Sequence, residues 1–395
     1  MNTRLDRTSF HIGTYILAPY ARTEAHIRAL AACGIDLVVG VNYDKPMLHL
    51  FQKHQITAVI NGVVPGWWGG KGANAGTMQE VNGLDKYFEA SKQFIDHPAI
   101  CGIDIGDEPS AADLPHLGRV AKETEKLFPN QFAYTNLYPS YGCHATNTTA
   151  DALHQLGVQN YRDYIEAYCL HVPLDYICYD HYLYSSSPDQ ALEDLAIVSD
   201  ACRRYNRSLW IVLQVNSSDP SQWISINQLR FQAYSAMAHG ARMILWACYT
   251  AGWFYNHVLD GTGTPTEQYA KLQSVNQEIR KITKHYMDYR NVHTHRISAN
   301  SFSSQNGEIT ELRSLDNALL LVGEMIGVDD PSAIAFMLCT ADDPMDTTPK
   351  SHTICFHSQR NCYRVITPDF EAPLNPDADG MFRFVLNSCH GAFLF

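Results

Sequence analysis

A chain of 395 residues has room for one large domain with a small companion, or for two or three ordinary ones. With 46% hydrophobic and 18% charged residues it reads as globular throughout, with no disordered stretch. A net charge of -12 argues against nucleic acid and against an anionic membrane surface as partners.

From residue 10 to about 290, short apolar runs alternate with longer amphipathic ones. The predicted strands are Phe10–Leu17, Asp36–Val41, Thr57–Val63, Ala99–Gly106, Phe132–Tyr138, Tyr176–Tyr182, Leu209–Val215 and Arg242–Cys248. Helical patterns fall between them at Thr23–Cys33, Val81–Ile95, Asp113–Leu127, Asn160–Cys169, Asp189–Tyr205 and Ser221–His239, and Pro265–Tyr289 closes the series. Near-continuous apolar strands covered by helices imply a parallel sheet. Eight such units in roughly 250 residues imply a closed (β/α)8 TIM barrel. An open doubly wound sheet fits less well, because Leu17 to Ala21 (Leu-Ala-Pro-Tyr-Ala) follows the first strand where that fold places a glycine-rich phosphate turn.

Beyond Tyr289 the texture changes. Strand-like runs at Leu319–Ile326, Ala333–Cys339, Thr353–Phe356, Tyr363–Ile366 and Met381–Leu386 are separated by Asp, Pro, Gly and Asn turns, with no long helical pattern. This predicts a small C-terminal antiparallel β-sandwich of roughly a hundred residues. The expected organisation is a catalytic barrel over 1–290 and a sandwich domain over 291–395, without repeats or a low-complexity linker.

Barrel chemistry sits just past the strand tips. The fourth strand, Ile100 to Pro109, ends in Asp107 and Glu108. Alternation puts Gly102, Asp104, Gly106 and Glu108 on one face and Cys101, Ile103 and Ile105 on the other, so the small and acidic side suits the barrel interior. Capping of the next helix by Asp107 and Glu108 is the plainer alternative. The third strand opens into Pro65–Gly76, where Trp67 and Trp68 stand among glycines. Indoles in a surface loop make poor core residues but good stacking platforms for the apolar faces of sugars; packing as a plug over the barrel end is the alternative. The fifth strand delivers Asn136 and Tyr138. The sixth delivers Tyr179, Asp180, His181 and Tyr182, with Asp180 on the parity of Cys178 and Tyr176 and therefore better placed to face the mouth than His181. The seventh ends in Gln214 and the eighth carries Trp246, with Trp253 beyond. Carboxylates, amides and aromatics together fit a polyhydroxylated substrate.

The 18 His show no H-x-H, H-E-x-x-H or two-His-one-carboxylate spacing, so no metal and no cofactor is expected. No G-x-S-x-G nucleophile elbow occurs. Eleven Cys lie singly, several inside apolar strands, as suits reduced buried thiols rather than disulfides. The first residues show no signal-peptide pattern and no run of ~18 apolar residues exists, so a cytoplasmic setting is expected.

His97 to Pro109, together with Tyr179 to Tyr182 and the order of elements over roughly residues 10–290, resembles the barrel glycoside hydrolases of the large retaining superfamily that includes the family 42 β-galactosidases. Within it, the likeness is to an uncharacterised bacterial branch with a "DEP" fourth strand and a "YDHY" sixth strand. That superfamily ends its fourth strand in Asn-Glu, the Glu being the general acid/base; here the resemblance passes that role to Glu108, with Asp107 in place of the amide. Its nucleophile is a Glu ending the seventh strand, where this chain has Gln214, which cannot attack. Hydrolysis of a glycoside needs two carboxyl groups. Asp180 is the expected second one, as nucleophile or base, with Asp107 and Asp260 behind it. A separation of ~5–5.5 Å would mean a retaining enzyme and ~6.5–9.5 Å an inverting one.

The expected function is thus glycoside hydrolysis on a small oligosaccharide or glycoside. Trp67, Trp68, Asp107, Asn136, Tyr138, His181, Tyr182, Gln214 and Trp246 would contact the carbohydrate. A catalytically inactive carbohydrate-binding barrel, or a transglycosidase, epimerase or lyase using the same acid, is the alternative. Self-association into a homo-oligomer is left open.

Overall fold

The computed structural model describes residues 4–143, 153–183, 186–298 and 300–395. The chain divides into two compact units, Met1–Gln222 with Met243–Tyr269, and Trp223–Arg242 with Ala270–Phe395. Its architecture is a (β/α)8 barrel followed by an antiparallel β-sandwich.

Eight parallel strands build the barrel: β1 His11–Tyr15, β2 Leu37–Asn42, β3 Thr57–Asn61, β4 Ile100–Asp107, β5 Phe132–Asn136, β6 Tyr176–His181, β7 Ser208–Gln214 and β8 Ala241–Ala247. They run in the order β5-β4-β3-β2-β1-β8-β7-β6. The seam between β5 and β6 is bridged just past the end of β5, where Leu137 N donates to Cys178 O at 2.9 Å and Leu137 pairs with Tyr179 in parallel. All eight predicted strands are present.

The connecting helices are α1 Glu24–Ala32, α2 Lys45–Lys53, α3 Met78–Val81, α4 Leu84–Ser91, α5 Leu114–Leu127, α6 Tyr161–His171, α7 Pro188–Arg204, α8 Ile226–Ala238 and α9 Glu267–Tyr286. Their starts follow local chemistry. Ser187 accepts from Gln190 N with Pro188 in the first turn of α7, and Asn160 accepts from Asp163 N to open α6. Two departures from the predicted pattern stand out. Of the run Val81–Ile95 only Leu84–Ser91 forms a helix of its own, separated by Asn82 and Gly83 from α3, which ends at Val81, and α2 has no counterpart among the predicted segments. Its start is nonetheless written in sequence: Asp44 accepts from Met47 N at 3.2 Å and Pro46 follows in the first turn.

The N-terminal end of the barrel is filled. Tyr176 stacks on Trp210 at 3.8 Å between ring centroids, Phe132 meets Trp210 edge-on at 5.5 Å, and the Arg7 guanidinium lies 4.4 Å from the Trp210 ring centroid. This aromatic and cation–π layer packs the end of the barrel opposite the C-terminal strand tips.

In the second unit, β10 Ile309–Ser314, β13 Ser351–Ser358 and β16 Met381–Asn387 form one sheet. The other runs β15-β14-β17-β12-β11-β9, built from β9 Tyr289–Ile297, β11 Leu320–Gly327, β12 Ile334–Thr340, β14 Tyr363–Ile366, β15 Glu371–Leu374 and β17 Gly391–Leu394. Ile354, Phe356 and Phe382 from the first share one buried core with Val322, Phe336, Leu338 and Leu394 from the second. Alternation along β16 shows why: Phe382, Phe384 and Leu386 point inward while Arg383 and Val385 are exposed. Among the described residues no helix is long and apolar enough to cross a membrane.

Candidate active site

The tip of β4 departs from simple strand geometry. Gly106 has φ +137° and Glu108 has φ +48°, and the register against β5 shifts between Asp104 and Asp107. Only glycine enters the first of these regions freely, and a glutamate in the second is held there against a local preference. The turn carries Asp107 as well as Asp104 into the barrel mouth, which strict alternation would forbid. Its backbone is pinned on both sides: Asp107 N donates to Trp67 O at 3.1 Å, Gly69 N donates to Asp107 O at 3.0 Å, and Glu108 N donates to Asn136 O at 2.9 Å.

That pinning brings the Trp67–Trp68 loop across the acidic tip. A Cβ on Gly69 would stand 2.0 Å from Glu108 O and 2.2 Å from the Tyr138 hydroxyl, so no other residue fits there without moving backbone. Trp68 Nε1 donates to Glu108 Oε2 at 2.6 Å, and Asn74 Nδ2 braces the loop by donating to Trp68 O at 2.7 Å. Trp68 is 48% exposed, whereas Trp67 is 7% exposed and its Nε1 finds no partner.

Across the mouth, Asn136 Nδ2 donates to Asp180 Oδ1 at 2.8 Å, and the Cys178 thiol donates to Asn136 Oδ1 at 3.6 Å. Tyr134 lies 3.5 Å from that sulfur, and its hydroxyl is hydrogen-bonded to Tyr15. Both ends of the Asn136 amide are therefore committed, which fixes its orientation toward Asp180.

These elements enclose two cavities. The larger, about 970 Å³, is lined by Asp107, Glu108, Asn136 and Asp180 with aromatic walls that include Tyr138, Tyr141, Tyr182 and Phe254. The smaller, about 440 Å³, is lined by Asn61, Trp67, Asp104 and Tyr134 among others. Tyr15, Trp68, Asp107 and Trp253 line both. Among the described residues no Lys, Arg or His lines either one.

Burial with no cation nearby shapes the charges. Burial foremost, then the Asp107 charge, pushes the Asp180 carboxyl up to about 8, with the Asn136 bond opposing. Asp107 is raised well above the usual carboxylate range by burial, then by Glu108 and Asp104. Burial lifts Asp104 to about 6, against the hydrogen bond from Gly106 N at 3.0 Å. Among the described residues, no group of three or more His, Cys, Asp and Glu could hold a metal ion.

Of the residues expected at the mouth, Trp67, Trp68, Asp107, Glu108, Asn136, Tyr138, Asp180 and Tyr182 line the cavities. Three others do not. His181 is next to Asp180 in β6, so alternation turns it to the other face, where Nδ1 lies 3.1 Å from Asp194 Oδ2 and Nε2 lies 2.7 Å from Ser186 Oγ. Trp246 pairs with Thr14, one residue from Tyr15, and sits fully buried on the strand face opposite Tyr15. Gln214 is fully buried with its amide donating to Asn216 O at 2.9 Å. Asp260 is outside the mouth as well, accepting from Thr262 N and Thr264 N in its own turn. Tyr15, Tyr141 and Phe254 line the cavities without having been picked out in sequence. Tyr15 ends its strand on an inward parity that was there to be read, whereas Tyr141, in the 3-10 turn Ser140–Cys143, and Phe254, in a loop, carry no such signal.

No protein-family model matches the sequence, and no curated protein matches it. Solved structures do match in fold. A glycoside hydrolase family 5 protein from Bacteroides vulgatus superposes with TM-score 0.54 at 9% identity, over 98% of this chain and 89% of that one. A structure named glycoside hydrolase gives TM-score 0.53 at 9% identity, over 98% of this chain and 92% of the other. At such identities the likeness is one of fold, a barrel of the kind these glycoside hydrolases use.

Proposed function

We propose that this chain is a glycoside hydrolase acting on a small oligosaccharide or glycoside, with Glu108 and Asp180 as its two carboxyl groups. One observation carries the reading: both line the same 970 Å³ cavity at the strand tips, between aromatic walls suited to sugar faces. The folds of the structural neighbours and the resemblance to the superfamily containing the family 42 β-galactosidases support it. In this reading the barrel over 1–290 is the catalytic domain and 291–395 the sandwich domain. The described cysteines are free and all but Cys362 are buried, which supports a reducing, cytoplasmic setting.

In the role that the resemblance implies for it, Glu108 protonates the glycosidic oxygen as the bond from C1 to that oxygen breaks, and Asp180 is our choice for the second carboxyl. Asp180 then attacks C1 or takes a proton from the water that does so. Water completes the first route by displacing Asp180 from C1, with Glu108 taking its proton.

The electrostatics favour a second reading in which these roles are exchanged. A carboxyl raised to about 8 holds its proton at neutral pH, as a general acid must. An indole N–H donated to Glu108 stabilises its ionised form, as a nucleophile requires.

A panel of aryl glycosides and short oligosaccharides, with products followed by NMR, tests the activity. No hydrolysis of any member would remove the proposal. Azide decides the roles: the glycine variant, Glu108→Gly or Asp180→Gly, that forms a glycosyl azide of inverted configuration has lost the nucleophile.

A further inference from the structure

The smaller cavity holds two carboxyls, Asp104 and Asp107, that hydrolysis by Glu108 and Asp180 leaves without a task. The Asn61 Oδ1 and the Trp67 Nε1 have no partner but are closed off within the wall, Trp67 being 7% exposed. The Tyr15 and Tyr134 hydroxyls are bonded to each other. Asp104 and Asp107 are thus the acidic groups of this lining. Trp67, Trp68 and Trp253 add indole surface to the same space, and among the described residues no side-chain cation lines it.

A ligand matching this lining donates hydrogen bonds to the two carboxyls and carries positive charge. An ammonium group donates three and accepts none, and it is attracted both to carboxylates and to indole faces. We infer that the smaller cavity receives the protonated amine of an amino sugar, with Asp104 and Asp107 as its counter-charges. A sugar carrying carboxylate or phosphate finds no side-chain cation among the described residues of this lining. The sugar part of the inference rests on the glycosidase reading; the cationic part rests on the lining alone.

Binding should also move protons. Asp104 and Asp107 are held above the usual carboxylate range while no cation faces them, and an ammonium beside them favours their ionised forms. Affinity for the amine then rises with pH until the amine itself begins to lose its charge.

The test is calorimetry on the whole chain with 2-amino and 6-amino sugars of the gluco and galacto series. Each is compared with its hydroxyl parent and its N-acetyl form. The expected result is that at least one amine binds about tenfold or more tighter than both its neutral counterparts. Asp104→Asn should remove that preference and Asp104→Glu should keep it, with thermal melts confirming that each variant is folded. Equal binding of amine and parent, no binding of any amine, or a preference that survives Asp104→Asn would each overturn the inference. Choline binding more tightly than every amino sugar would overturn its sugar part. The wild-type comparison stands even where a variant does not fold. Binding is read without turnover, so loss of amine preference beside intact hydrolysis defeats only this inference. Amine preference without hydrolysis defeats only the glycosidase reading.

Discussion

Trp68 reaches Glu108 across forty positions of sequence and donates its indole N–H to Oε2 at 2.6 Å. The acid at the tip of β4 is therefore held by the loop that follows β3, and the aromatic surface and the ionisable group move as one piece. At 2.6 Å this bond lies at the short end of N–H···O hydrogen bonds.

Replacing Trp68 with Phe keeps an aromatic face and removes the donor. The donor favours ionised Glu108, so its loss makes Glu108 easier to protonate. If Glu108 works as the ionised partner, the acidic limb of the kcat/KM profile moves to higher pH, and if it works as the proton donor, the basic limb moves up. A profile that shifts in neither limb would mean that the contact has no bearing on catalysis.

Glu108→Gln should fold normally and lose nearly all turnover, since a positioned proton-transferring side chain is usually worth ~10²–10⁴-fold or more. Wild-type rates on a substrate with a poor leaving group would remove Glu108 from the mechanism in either role.

The two tryptophans should part company on truncation. Trp67 is buried, so Trp67→Ala should cost ~3–5 kcal/mol of stability. Trp68 is 48% exposed, so Trp68→Ala should barely change the melting temperature. Its sugar affinity should fall by ~1–3 kcal/mol, taking base–aromatic stacking as the analogue. Melting curves and sugar titrations on both variants check this, and equal destabilisation at the two positions would contradict it.

Asp180 predicts a pH dependence of stability. Its carboxyl is raised from 3.8 to about 8 in the folded chain, so between those values the folded state binds the extra proton. Stability is favoured below about pH 4, declines as pH rises through 8, and levels off above. Asp180→Asn keeps an oxygen to accept the Asn136 N–H and removes the ionisation. Its melting temperature should therefore fall less than that of the wild type between pH 5 and 8.5. Parallel curves would mean that Asp180 ionises without penalty.

The barrel was legible because its strands are near-continuous apolar runs and its helices are amphipathic, two periods that do not resemble each other. Polar β9, with Arg290, Asn291, His293 and His295, gives no such alternation. At the mouth, parity along β6 reads Asp180 and His181 onto opposite faces, and they lie there. Parity fails at Asp107, because the left-handed turns at Gly106 and Glu108 rotate it into the cavity, and nothing in a glutamate announces a positive φ. The fourth-strand motif could be recognised as acidic; how many of its acids share one cavity could not.

The close approach at Gly69 has an evolutionary consequence. Any side chain there would push the loop away from Glu108 O and the Tyr138 hydroxyl, and Trp68 would lose its reach to Glu108. Among chains that descend from a common ancestor with this one, position 69 and position 68 should therefore drift together. Where the glycine is lost, the tryptophan is released from its duty to the acid and free to become almost anything.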